Sequence, residues 1–204
     1  MDGKKRARFW LGSLREWHWI SSAICLIGML LFAITGITLN HASQISATPV
    51  TTSLEARVPE QLIRALEIPE QENAPLPSDL SEWLYEHHDI YAQHKNAEWS
   101  KDEVYLSLPR PGGDAWLSID LTSGDFEYEL TERGWISFFN DLHKGRNTGT
   151  AWSWFLDAFA VACIIFCITG LLLLKRYANG RPTTWPLVGL GLVLPWVLIL
   201  LFIH

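Results

Sequence analysis

The chain has 204 residues, of which 49% are hydrophobic, with 11 tryptophans and a formal net charge of −6. The apolar residues are concentrated in three blocks, and most of the acidic residues lie in a polar segment of about 100 residues between the first two blocks. This distribution excludes an ordinary soluble domain, and the acidic balance argues against nucleic acid as a partner.

The first block predicts a membrane helix over residues 17–42. No charged residue occurs between Trp19 and Leu39, which is about the 20 residues that a helix needs to cross the hydrocarbon core. The run is longer than the apolar region of about 7–15 residues in a secretory signal, so we expect an uncleaved helix.

Residues 43–142 are predicted to form a small water-exposed α+β domain. Its first part, 43–56, is rich in Ser and Thr and is interpreted as a linker. Helices are predicted over about 58–67 and again from Ser78. From residue 103 the apolar period changes to two, which indicates three short antiparallel strands joined by tight turns.

Two more membrane helices follow this domain. The segment 143–175 is predicted to be an interfacial lead-in and the second membrane helix, 176–184 a short loop, and 185–204 the third membrane helix. Asp157 lies inside the second helix. A carboxylate at that depth usually faces a bundle interior or a polar cavity.

Charge predicts the orientation. The tail 1–16 is basic. It also carries Phe9 and Trp10, and we expect it to lie at the membrane surface. The loop 176–184 and the residue before it carry Lys175, Arg176 and Arg181. Both basic segments should be cytoplasmic by the positive-inside rule, which leaves the acidic domain and the C-terminus outside.

The three cysteines, Cys25, Cys163 and Cys167, all lie inside apolar runs. We interpret them as small buried hydrophobic residues. They give no information about the redox compartment.

The apolar runs and their flanks resemble the PepSY-associated transmembrane family. The first run carries a basic residue, a histidine, an aromatic residue, a long apolar stretch and Thr-Gly, here Arg15, His18, Trp19 and Thr35-Gly36. The second run repeats Leu-His-basic-Gly, an apolar stretch and Ile-Thr-Gly at 168–170. Between them, the segment WLSIDLTSGDFEYEL resembles the paired strands of a PepSY domain.

This resemblance implies a fold and a function. Together with the hydropathy and charge patterns, it gives the expected fold: membrane α-helical, with three transmembrane helices, the N-terminus inside and the C-terminus outside, and a periplasmic α+β PepSY-like domain inserted between helices 1 and 2. The function is that of a haem-b ferric reductase of the bacterial inner membrane, an oxidoreductase that delivers electrons to ferric iron or a ferric chelate in the periplasm. The resemblance assigns His18, His41 and His143 as ligands of haem iron.

Simple geometry limits how these ligands can pair. On a straight helix His18 and His41 are about 34 Å apart at 1.5 Å per residue, so they cannot share a haem. His41 and His143 both belong to the outer interface and are the expected pair for an outer haem. Lys144 and Arg146 lie beside His143 in sequence and are candidates to neutralise propionates.

The inner histidine, His18, needs a partner from another subunit, most simply the symmetry-related His18 of a homodimer. Arg15, one turn earlier, is expected to meet a propionate or a lipid phosphate. The sequence has no Gly-rich dinucleotide fingerprint. The electron donor is therefore expected to be a quinol, a cytoplasmic protein or another reductant.

Other interpretations remain open. The cluster of His87, His88, Asp89 and His94 is either a transient iron site or a solvated helix end, and His204 is interpreted as a terminus only. At the level of function, the alternatives are a non-enzymatic, membrane-anchored PepSY binding or regulatory module, and an accessory subunit of a transporter. Alanine at the three ligand candidates would leave the activity of such a module intact.

Overall fold

A computed structural model describes residues 12–203 of the chain. Most of the basic tail, with Phe9 and Trp10, and the terminal His204 lie outside these residues. The elements, in chain order, are α1 (Leu14–Asn40), β1 (Val50–Arg57), α2 (Glu60–Ala65), β2 (Asn73–Pro75), α3 (Ser78–His88), β3 (Asn96–Trp99), β4 (Glu103–Ser107), β5 (Gly113–Asp120), β6 (Asp125–Glu132), α4 (Trp135–Lys144), α5 (Gly149–Tyr177) and α6 (Thr184–Phe202).

The chain divides into two compact units. One comprises Met1–Leu31 with Trp154–His204, and the other Phe32–Ser153. The helices α1 and α5 each pass from one unit into the other. The first unit therefore holds the greater part of α1 and α5 together with α6.

Three helices within residues 12–203 are long and apolar enough to cross a membrane. They are α1 with 27 residues, α5 with 29 and α6 with 19. The three predicted apolar runs are thus helices of sufficient length to span a membrane, with ends that differ by a few residues from those expected. The third helix, α6, buries none of its side chains and contains Pro195 in its interior.

The Phe32–Ser153 unit contains a six-stranded sheet in the order β1-β6-β5-β4-β3-β2, with every neighbouring pair antiparallel. Alternate residues of the central strands point to one face and are buried, as the period of two predicts. Helix α3 covers this face with Leu80 and Leu84, which pack against Leu106, Leu117 and Ile119. The predicted α+β domain between the first two membrane helices is thus confirmed.

Half of the strands were not predicted from the sequence. The expected linker 43–56 contains β1, which pairs with β6 from Val50 opposite Glu132 to Arg57 opposite Asp125. The reason is that β1 turns only Leu54 and Ala56 toward the core, so its hydrophobic alternation is weak. Strands β2 and β3 are only 3 and 4 residues long, too short to give a periodic signal.

The segment before the second membrane helix also differs from expectation. The predicted lead-in at 143–150 is instead the end of a separate helix, α4, followed by a short turn. Gly145 ends α4 in the left-handed conformation, with φ +65°, as glycine does at helix C-termini. His143 therefore belongs to α4 rather than to the membrane-spanning helix α5.

Candidate functional site

His18 is held by helix α5. His18 lies one turn into α1, and its Nδ1 atom is 3.0 Å from the hydroxyl oxygen of Thr169 on α5. The imidazole stacks on Phe166 with a centroid distance of 4.9 Å and an angle of 13° between the planes. A Cβ atom at Gly170 would be 3.3 Å from Cε1 of His18, so glycine at this position leaves room for the ring.

The hydrogen bonds of Thr169 fix the tautomer of His18. The threonine hydroxyl is 2.7 Å from the carbonyl of Ile165 and 3.0 Å from that of Phe166. A carbonyl oxygen only accepts, so the hydroxyl donates its single proton to the main chain and accepts from His18. The proton of the imidazole is then on Nδ1, and the lone pair of Nε2 is available to a metal.

An apolar slot adjoins His18. It has a volume of about 370 Å³ and is lined by Gly170, Leu173, Leu174, Tyr177 and Arg181, among others. Arg15 donates a hydrogen bond to the Tyr177 hydroxyl at 3.1 Å. The slot therefore combines apolar walls with one arginine, and Arg15 is bonded to one of its lining residues. Mostly apolar walls with a few polar groups are typical of ligand sites.

A second histidine, His143, is held in the same way by α1. Its Nδ1 atom is 2.7 Å from the hydroxyl oxygen of Thr35, which itself donates to the carbonyl of Phe32 at 3.1 Å. The imidazole also contacts the ring of Phe32, with centroids 4.9 Å apart. The same reasoning favours the tautomer of His143 with its proton on Nδ1, which leaves the Nε2 lone pair available.

The two sites use the same sequence element. His18 is bonded to the threonine of Thr169-Gly170, and His143 to that of Thr35-Gly36. In the sequence, Thr-Gly indicated only a family resemblance, and the contact between its threonine and a histidine was not predicted. Its recurrence in both apolar runs, each with a histidine near one end, was the available signal.

The third candidate ligand, His41, follows the last residue of α1. Its Nδ1 atom is 3.0 Å from the carbonyl of Ile37, which again leaves Nε2 as the acceptor. At 100° per residue, position 41 is about 120° around the helix axis from Thr35, the α1 residue to which His143 is bonded. The structure thus places the two imidazoles on different sides of α1, and their pairing at one haem stays a prediction.

The basic residues assigned to propionates have different surroundings. The ammonium of Lys144 is 3.5 Å from the buried carboxylate of Asp141, so this charge already has a partner. Arg146 is exposed and takes part in no ion pair within residues 12–203. Of the two, Arg146 is the better candidate to meet an anionic group.

The histidines of the sheet domain that were candidates for an iron site do not form a metal-binding cluster. His87 stacks on Trp83, and His88 packs its ring against Trp83 and Phe126. Within residues 12–203, no group of three or more His, Cys, Asp or Glu side chains has the arrangement of a metal site. Haem iron takes only one or two protein ligands, so this absence concerns free metal ions.

Gly28 and Gly36 of α1 and Asp157 of α5 have different surroundings. Gly28 lies against the ring of Phe159, while Gly36 lies near His143. The first is a helix-packing contact, and the second makes room for a candidate ligand. Asp157 is exposed on α5, so within its own unit it does not face a bundle interior as expected.

Comparison with known proteins identifies the family. The model of the PepSY_TM-like proteins (PepSY_TM_like_2) matches residues 9–204. The chain belongs to the PepSY_TM-like family. No curated protein and no solved structure matches the chain. For this PepSY_TM-like protein the three apolar helices and the inserted sheet agree with the family, and they indicate integration into a membrane.

Proposed function

We propose that this protein is a haem-b electron carrier of the bacterial inner membrane that reduces ferric iron or a ferric chelate in the periplasm. One observation carries the proposal. Two histidines, His18 and His143, have Nδ1 at 3.0 and 2.7 Å from a threonine hydroxyl; donation of the Nδ1 proton to that hydroxyl directs the Nε2 lone pair away from the anchor. Imidazole ligands of metals are commonly oriented by such a hydrogen bond.

The donor set fits haem b. Haem b, when bound, supplies reversible one-electron reduction of its iron. His18 would hold it at the inner side, where the apolar slot offers walls and where Arg15 and Arg181 offer positive charge for propionates. His143 would hold it at the outer side, beside the ring of Phe32 and with Arg146 nearby in sequence.

The source of the second axial ligand at each haem determines whether the site needs one chain or two. At the inner side it would be His18 of a second copy in a homodimer, since His18 is the only histidine of the chain before residue 41. At the outer side the candidate is His41, from the same chain or from a second one. A quinol or a cytoplasmic reductant would supply the electrons. Lys175 and Arg176 in the last turn of α5, with Arg181 after it, support a cytoplasmic location of that end.

The first test is spectroscopic. The protein is purified from haem-replete cells, and its haem content per chain and reduced-minus-oxidised spectrum are measured. We expect a reducible Soret band in the wild type, and loss of haem in His18→Ala and His143→Ala. His87→Ala is the matched control, because His87 is also bonded through Nδ1 but lies in the sheet domain.

The second test addresses the reaction. Protein reduced with dithionite and freed of excess reductant is mixed with ferric citrate in the presence of a dye that traps Fe²⁺. Reoxidation of the haem should accompany formation of the ferrous complex. A wild-type protein without a Soret band, or a His143→Ala variant with an unchanged spectrum and haem content, would contradict the proposal.

A further inference from the structure

Helix α4 presents three different sides. Asn140 and His143 face α1, where they meet the hydroxyls of Thr38 and Thr35, both at 2.7 Å. Another side, with Phe138 and Asp141, faces the turn between β4 and β5. The third side is apolar and exposed, and its members are Trp135, Ile136 and Phe139, with exposed fractions of 76%, 45% and 48%.

The contacts with α1 define the depth of α4. Going from Asn140 to His143 along α4 corresponds to going from Thr38 back to Thr35 along α1, so the two helices are antiparallel here. Thr35 lies five residues before the end of α1 at Asn40, about 8 Å along the helix axis. Because Thr35 and Thr38 belong to the apolar stretch that fills the bilayer, the last turn of α4 lies at membrane depth.

The two ends of α4 differ in how their main-chain groups are hydrogen-bonded, as insertion of the C-terminal end into a membrane requires. At the C-terminal end, two main-chain carbonyls have donors within the protein. The carbonyl of Asp141 accepts the main-chain N–H of Arg146 at 2.9 Å, and the carbonyl of Leu142 accepts the indole N–H of Trp152 at 2.9 Å. The N-terminal end at Gly134 has no side-chain cap. Lipid demands that main-chain groups be bonded within the protein, whereas water can satisfy an uncapped end.

Two polar side chains of α4 are directed inward, whereas Lys144, at its C-terminal end, is exposed. Asn140 and Asp141 are both buried, and the carboxylate of Asp141 accepts the N–H of Gly112 at 2.9 Å and pairs with Lys144. The outward side is left to Trp135 and Phe139, which are one helical turn apart. Trp135 is the nearer of the two to the uncapped end, where an interfacial tryptophan is expected.

We propose that α4 is inserted into the membrane leaflet on the side of the sheet domain, with Trp135, Ile136 and Phe139 in contact with phospholipid. The membrane part of the protein then consists of three spanning helices and one half-length helix. The occupant of the apolar side is lipid rather than a second copy of the chain, because the contacts with α1 place this side at a depth that the bilayer surrounds. The proposal does not depend on haem.

The experiment measures the surroundings of position 139 in the full chain, reconstituted in phosphatidylcholine vesicles. Cys25, Cys163 and Cys167 are replaced by alanine, and a single cysteine carrying a nitrobenzoxadiazole label is introduced as Phe139→Cys. Tyr91→Cys, exposed in the sheet domain, and Leu200→Cys, exposed on α6, are the aqueous and lipid controls. Two quenchers are compared, iodide in water and doxyl groups on the lipid chains.

We expect the label at 139 to behave like that at 200, quenched several-fold more by doxyl lipid than by iodide, and opposite to that at 91. Strong quenching by iodide at 139 would overturn the proposal. So would protection from both quenchers, which would mean that a second copy covers the helix.

A second measurement keeps the native cysteines. Phe139→p-benzoylphenylalanine is irradiated in the same vesicles, and the product is analysed by mass spectrometry. A covalent phospholipid adduct is expected. A cross-linked dimer as the main product would overturn the proposal.

Discussion

The ring of Phe159 on α5 occupies the space that a side chain on Gly28 of α1 would need. A Cβ atom at position 28 would be 2.7 Å from Cζ of Phe159, well inside van der Waals contact. Gly28→Ala should therefore force the two helices apart and lower stability by about 1–3 kcal/mol, as overpacking does. Thermal unfolding in detergent measures this effect.

The control for that prediction is a double variant. Phe159→Leu shortens the group that the new methyl would meet, so Gly28→Ala combined with Phe159→Leu should lose less stability than the sum of the single variants. Simple additivity would mean that the two residues are not coupled.

The threonines that orient the histidines should control haem binding without touching haem. Thr169→Val removes the acceptor of the His18 Nδ1 proton at nearly constant volume, and Thr35→Val does the same for His143. We expect a loss of haem affinity of about 10- to 100-fold at the corresponding site. Thr→Ser at each position keeps the hydroxyl and should retain binding. Haem titration followed by absorbance distinguishes these outcomes.

The buried carboxylate of Asp141 connects α4 to the sheet domain through Gly112. Asp141→Ala leaves the N–H of Gly112 without this acceptor, which should cost about 1–3 kcal/mol. Asp141→Asn keeps an acceptor oxygen and should cost less. Asp114→Ala, an exposed change two residues after Gly112, is the control and should leave the unfolding midpoint unchanged. Equal midpoints for Asp141→Ala and Asp114→Ala would contradict the connection.

The turn between β5 and β6 should make the sheet domain sensitive to acid. The main-chain N–H groups of Ser123 and Thr122 donate to Asp120 and lower its pKa below the usual 3.8. A lowered native pKa stabilises the fold above the unfolded value, and this contribution is lost as the pH falls through the native value. Asp120→Asn does not titrate, so the difference in unfolding midpoint between wild type and variant should shrink below about pH 4. A difference independent of pH would exclude this role.

The apolar helices could be predicted from sequence because length and hydropathy alone determine them. Helices α1, α5 and α6 each consist of a long run with few charges, and no tertiary contact is needed to recognise such a run. The central strands were predicted for a similar reason, since Val104, Leu106, Leu117 and Ile119 alternate with polar residues.

Features that depend on distant partners could not be predicted. Strand β1 pairs with β6, about 75 residues later in the chain, and has few apolar residues of its own. The hydrogen bond between Thr35 and His143 joins positions 108 residues apart. The local pattern around each residue is compatible with other surroundings, so the role of the threonines becomes visible only in the folded chain.

The dependence of each imidazole on a remote threonine has a consequence for biosynthesis. While the ribosome has delivered only the first helix to the translocon, neither His18 nor Thr35 has met the group to which it will bond. The ring of His143 is oriented only after α4 has packed on α1, and that of His18 only after α5 has done so, when nearly 180 residues have been made. A prosthetic group bound by these rings would have to be acquired late, from the membrane, by a chain whose first two spans are already paired.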